Sequence, residues 1–68
     1  MEKFSQRLKI LRNEQGITQT QLAKETGLSQ SGIALWESGK RVPNADVIIV
    51  LANFFNVSTD YLLGVADE

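Results

Sequence analysis

The sequence holds no cysteine and no histidine. Without thiols there are no disulfides and no sulfur nucleophile, and without either residue type the usual zinc ligand sets and imidazole acid–base chemistry are excluded. The carboxylates that remain are dispersed, and no grouping of nucleophile, base and orienting partner can be assembled from them. An enzyme is therefore not expected, nor a metal or cofactor. No apolar run approaches the roughly 18 residues of a membrane span. The opening MEKFSQRLK is charged and amphipathic, unlike the apolar core of a signal segment. A soluble, cytoplasmic protein is expected. Alternation of the strand type, internal repeats and low-complexity tracts are all missing, and proline occurs once. Excess charge is missing too: seven Lys and Arg stand against eight Asp and Glu, for a net charge of −1. Polyanion binders are usually basic, so any such binding here has to rest on a local patch and carry a modest salt dependence. Lys40 and Arg41 are adjacent, while Asp60, Asp67 and Glu68 gather toward the C-terminus.

What is present is helical punctuation. Phe4, Leu8 and Leu11 recur at helical spacing and predict a first helix over about 3–15, with Gly16 past its end and Ile10 off the buried stripe. Thr18 with Gln21 three residues on reads as a capping box opening a second helix over 19–26, with Ile17 placed to staple onto Leu22. Ser29 repeats the device for a third helix over 30–38, with Leu28 stapling onto Ile33. After the loop Lys40-Arg41-Val42-Pro43, Asn44 caps a fourth helix over 45–55, and Asn56 ends it. Ser58 caps a short fifth helix over 59–63, with Val57 against Leu62 and Gly64 as the stop. Sixty-eight residues make one domain, 1–68, an all-α, compact five-helix unit.

The stretch from Gln19 to Glu37 organises the rest. Leu22 and Ala23 are expected inside, and the small Ala23 lets two helix backbones approach. Gly27 supplies the left-handed residue at which the chain reverses. Ile33 and Trp36 share one face of the next helix. These positions suit two helices crossing at roughly 90–120° over a turn of about 3–4 residues. Gly32 sits inside the third helix and should cost about 1 kcal/mol relative to alanine. Two readings stand for it: close approach of another backbone, or simple tolerance. In the fourth helix, Ile48, Leu51, Ala52 and Phe55 form a core face, while Val47, Val50 and Phe54 form a second apolar stripe.

Taken together, LxxLR at Leu8 to Arg12, ITQTQLA at Ile17 to Ala23, GLSQSGIALWESGKRVP at Gly27 to Pro43 and LANFFNVSTDYLLG at Leu51 to Gly64 resemble the lambda-repressor-like (XRE/Cro-type) helix-turn-helix DNA-binding domains of phage repressors and bacterial regulators. The resemblance runs nearly end to end. It implies a sequence-specific transcriptional regulator, a repressor occupying a double-stranded DNA operator as a homodimer, with the third helix in the major groove. It makes Gln30, Ser31, Ala34 and Leu35 the candidate base contacts. A glutamine amide pairs bidentately with adenine; a leucine offers only contact with a thymine methyl or a sugar, or is an ordinary surface residue. Gln19 takes the place of a family glutamine that binds phosphate and braces the recognition-helix glutamine. Thr18, Ser38, Lys40, Arg41 and Asn44 are candidate phosphate contacts; capping accounts equally for Thr18 and Asn44, and solvation for the loop cations. Arg12 and Glu37 match positions that form an ion pair in many relatives, and Trp36 is expected in the core with its indole N–H reaching a phosphate. Val47 and Val50 depart from positions that are usually polar. With Phe54, Tyr61 and Leu62 they form a candidate dimer interface or docking face for a further domain, unless helices one and five cover them. A protein-interaction module, antitoxin-like or the N-terminal part of a larger regulator, is the competing reading.

Overall fold

Four of the five helices begin at a short polar side chain that takes up an otherwise unpaired backbone N–H. The structure, a computed structural model, describes residues 1–67; Glu68, one of the C-terminal acids, lies outside them. Helix α1 spans Glu2–Glu14, α2 Gln19–Thr26, α3 Gln30–Glu37, α4 Ala45–Phe55 and α5 Thr59–Leu63. There is no strand among the described residues. Thr18 Oγ1 accepts from Gln21 N at 3.0 Å while Gln21 Oε1 accepts from Thr18 N at 2.7 Å, a closed capping box. Ser29 Oγ accepts from Gly32 N, Asn44 Oδ1 from Val47 N and Ser58 Oγ from Tyr61 N. Each such cap stabilises its helix by about 1 kcal/mol. Only α1 lacks a side-chain cap, starting directly at Met1. It begins and ends one residue earlier than expected, and α3 stops at Glu37 with Ser38 as its C-cap. Gly27, at φ 76°, makes the reversal between α2 and α3.

Helices α2 and α3 pack on one another; α1 packs against α3 and α5, and α4 against α5 and α2. Their meeting point is a core in which Phe4, Leu8, Leu22, Ile33, Leu51 and Leu62 are fully buried. Ile17, Leu28 and Val57, the three staple residues, pack against its edge. Ile10 is exposed, as its place off the α1 stripe implies.

Two readings of the sequence change. Val47 is 9 % exposed and Leu62 is fully buried, so both are core residues and not part of an outer stripe. The wheel of α4 places Val47 beside Leu51, and neighbouring helices cover that flank. Gly32 has an internal cause. A Cβ there would sit 2.6 Å from Ser29 Oγ and 3.2 Å from two carbons of the Trp36 ring. Neither approach of DNA nor tolerance is needed to explain it. Gly32→Ala is therefore expected to lose about 1–2 kcal/mol of stability through strain and a displaced cap, although helix propensity alone predicts a gain of about 1 kcal/mol. Urea unfolding of the variant reads the sign directly.

Arg7 was not singled out by sequence. Its Nη1 donates to Tyr61 O and, at 2.6 Å, to Ala66 O. Its guanidinium lies 4.3 Å from the centre of the Tyr61 ring, and Nη2 stands 3.6 Å from the exposed Asp67 carboxylate. α1 thereby holds the segment that follows α5.

Candidate nucleic-acid interface

The outer side of α3 follows from its inner side. Gly32, Ile33 and Trp36 are buried, which turns Ser31 and Ala34 outward and sets Gln30 and Leu35 on the two flanks. Gln30 and Ser31 are exposed; Ala34 and Leu35 are half-buried. Ser31 is thus the most outward polar group on the helix, and Leu35 offers only an apolar flank.

One polar chain connects this face to the interior. Glu37 is the last residue of α3, and its side chain is 4 % exposed. Glu37 Oε2 accepts from Arg12 Nε at 2.6 Å, and Oε1 accepts from Arg12 Nη2 at 3.0 Å. The third guanidinium nitrogen, Nη1, donates to Ile17 O at 2.8 Å. A planar fork fills both carboxylate oxygens and one backbone carbonyl at once, which a lysine cannot do. The hydrogen bond to Glu37 raises the Arg12 pKa above its ordinary value; partial burial works against this and the charge of Glu37 supports it. Glu37 Oε1 also accepts from Gln19 Nε2 at 3.2 Å. Gln19 Oε1 in turn accepts from Gln30 Nε2 at 3.3 Å. The expected pair of Arg12 and Glu37 is present, and Gln19 stands between it and Gln30.

Around this face lie the groups suited to phosphate. The first turns of α2 and α3 contain no acidic residue, whereas α1, α4 and α5 carry Glu2, Asp46 and Asp60 there. Acids neutralise the positive end of a helix dipole; α2 and α3 leave theirs open to an outside anion. The acids behind the low net charge are thus placed away from the N-termini of α2 and α3. Thr18 and Asn44 spend acceptor atoms on their caps, so the Thr18 hydroxyl proton and the Asn44 amide N–H groups stay available. Lys40 and Arg41 are exposed, and their backbone N–H groups both donate to Leu35 O, which ties the loop to the end of α3. Ser38 differs. Its hydroxyl donates to Leu35 O and its N–H to Ala34 O, so neither donor is left for a phosphate. Trp36 is core as expected, but its indole Nε1 is enclosed and has no partner among the described residues. It does not reach outward. Ser5, which sequence reasoning missed, donates to Trp36 O at 2.6 Å and pins α1 to the same end of α3.

The candidate interface residues do not form one patch. Val47 and Leu62 are core. Val50 and Phe54 are half-buried on one flank of α4, Phe54 edge-on to Phe55 with ring centres 5.0 Å apart. Tyr61 lines a separate shallow groove with Leu11 and Val57. The exposed large apolar residue of α4 is Ile49, at 51 %, beside Met1, Pro43 and Leu63. No helix is long and apolar enough to cross a membrane, and no cluster of acids suited to a metal occurs among the described residues.

Comparison with known proteins agrees with this geometry. The uncharacterised HTH-type transcriptional regulator YobD of Bacillus subtilis is 35 % identical over 65 residues, covering 96 % of this chain and 58 % of that protein. This chain spans about half the length of most of the curated relatives it matches. Among solved structures, the restriction-modification controller protein C.AhdI from Aeromonas hydrophila superposes with a TM-score of 0.81 at 34 % identity, covering 90 % of this chain and 92 % of that one. The P22 c2 repressor in complex with a synthetic operator superposes with a TM-score of 0.83 at 29 % identity, covering 91 % and 94 %. The helix-turn-helix family profile matches residues 8–62. With that match over most of its length, and with α2 and α3 built as described, the chain belongs to the helix-turn-helix family of the lambda-repressor-like (XRE/Cro) type.

Proposed function

We propose that residues 1–68 form one sequence-specific DNA-binding domain of a transcriptional regulator, with α3 in the major groove of an operator. The observation that carries this reading is the exposed Gln30 braced by Gln19 on a helix face bordered by two acid-free helix N-termini. Gln30 and Ser31 read base edges, and Ala34 and Leu35 give apolar contact with a thymine methyl or sugar. Thr18, Gln19, Lys40, Arg41 and Asn44 hold phosphates; phosphate contacts set register and base contacts set sequence. Ser38 is left out, since its donors are spent. Repression by occupancy of the operator is the simplest mode for such a domain. A homodimer reads two half-sites about 10 bp apart on one face of the duplex, and the Val50/Phe54 flank of α4 is the surface we assign to it. The same flank supports the second reading, a docking face for a protein partner or a further domain.

Selection of bound sequences from random duplex DNA at fixed moderate salt tests both parts. The wild type is expected to enrich a palindrome with half-sites one helical turn apart. Gln30→Ala is expected to lose about tenfold in preference at one adenine of each half-site, within the range of a bidentate contact. Enrichment of nothing by the wild type, with uniformly weak binding, would transfer the function to protein contact.

A further inference from the structure

We propose that Glu37, a residue assigned no contact with DNA, is a positioning residue that sets the base preference of Gln30 by fixing which end of two successive amides faces the next group. The inference rests on the base-reading role of Gln30 given above.

The argument starts at the carboxylate. Both Glu37 oxygens accept from Arg12 nitrogens, at 2.6 and 3.0 Å, so the side chain faces its neighbours as an acceptor. Gln19 stands 3.2 Å from Glu37 Oε1 and must therefore turn its amide nitrogen toward it. Its oxygen is then the end that faces Gln30. An acceptor 3.3 Å from Gln30 demands the nitrogen of that amide in turn. Two sign choices, each forced by the one before, leave Gln30 presenting one oxygen and one N–H to the outside.

That pattern has a preferred partner. The major-groove edge of adenine offers the N6 amino donor and the N7 acceptor, while guanine offers two acceptors, O6 and N7. A glutamine showing one acceptor and one donor satisfies adenine fully and sets its oxygen against an acceptor of guanine. With the polarity reversed, Gln19 would give its N–H to the Gln30 oxygen. Gln30 would then hold its oxygen beside Gln19 and turn its N–H to the place the oxygen had, a donor set against the adenine amino group and suited to guanine O6. A side chain buried at the end of α3 thus decides a base preference at the start of the helix.

The test compares affinity for two duplexes that differ only by adenine or guanine at the position read by Gln30, at one salt concentration. The wild type is expected to favour adenine about tenfold. Arg12→Met/Glu37→Leu removes the carboxylate while keeping an apolar filling of similar volume, and thermal melting establishes that it folds. Its adenine-to-guanine ratio is expected to fall to about threefold or less. Gln19→Leu breaks the chain one link further on and leaves the ion pair untouched. It is expected to weaken binding to both duplexes and to lower the ratio by the same factor. In a Gln30→Ala background neither change should alter the ratio. A merely structural role for Glu37 would weaken both duplexes equally and leave the ratio in place. An unchanged ratio in the folded double variant and in Gln19→Leu overturns the inference, as does an equal change in the Gln30→Ala background. A wild type whose preference survives Gln30→Ala overturns the base-reading assignment itself, which is a separate and distinguishable result.

Discussion

Arg12→Ala is expected to lower the free energy of unfolding by about 3–5 kcal/mol, the usual consequence of removing one partner from a buried ion pair. The two side chains are only 12 % and 4 % exposed, so little solvent screens the pair while it is intact. Glu37 would keep a single donor, Gln19, for an interior carboxylate, and Ile17 O would lose its guanidinium N–H. A domain of this size has only about 3–5 kcal/mol of core stabilisation to lose, so a measurable unfolded fraction should appear at room temperature. Denaturant unfolding followed by circular dichroism gives the number. Arg12→Met/Glu37→Leu should recover most of the loss, because apolar residues of similar volume commonly match or exceed a buried pair in stability. Recovery would show that the pair is retained for geometry and not for stability. The pH dependence has a definite sign. The folded-state pKa of Arg12 is raised, so its contribution is present at every pH below the ordinary guanidinium value and disappears only as the solution becomes alkaline enough to pass the folded value. Across neutral pH, Arg12 adds no slope. A Arg12→Ala variant as stable as the wild type would mean that the pair is solvated in solution.

How much of this was legible in the sequence depended on whether the signal was local. Thr18, Ser29, Asn44 and Ser58 each mark a helix start, because a cap and the N–H it binds lie three residues apart in the chain. The starts of α2, α3, α4 and α5 follow from them without tertiary information. Arg12 and Glu37 are 25 residues apart, and only the family resemblance joined them. The errors lie where helical periodicity gives a direction but not the coverage. A wheel places Val47 and Val50 on one flank of α4, yet neighbouring helices bury the first and leave the second half-exposed. Ile49, on the other flank, is more exposed than either. Arg7 was invisible for a different reason. Its hydrogen-bond partners are the backbone carbonyls of Tyr61 and Ala66, and a carbonyl carries no residue identity to read. Gly32 was within reach: Trp36 is four residues on, the spacing that brings a ring over the preceding turn.

The reassignment of Leu62 from surface to core gives the second large effect. Leu62→Ala is expected to cost about 2–5 kcal/mol, the range for emptying a buried leucine site, since the side chain is fully buried among the helices of one chain. Helix α5 has only five residues, Thr59–Leu63. A helix that short does not persist without tertiary packing, and Leu62 is its one fully buried side chain. The loss should therefore be concentrated in α5 and in the segment that Arg7 holds, where hydrogen exchange would accelerate first. The cost should also be independent of protein concentration. A leucine at a dimer interface behaves otherwise, because its contribution grows with the bound fraction. Phe54→Ala supplies the contrast. Phe54 is half-buried, so its intrachain cost should be smaller. If the α4 flank joins two copies, the unfolding midpoint of the wild type should rise with concentration and that of Phe54→Ala should not. A concentration-dependent penalty for Leu62→Ala that vanishes in dilute solution would return Leu62 to the interface and require α5 to repack.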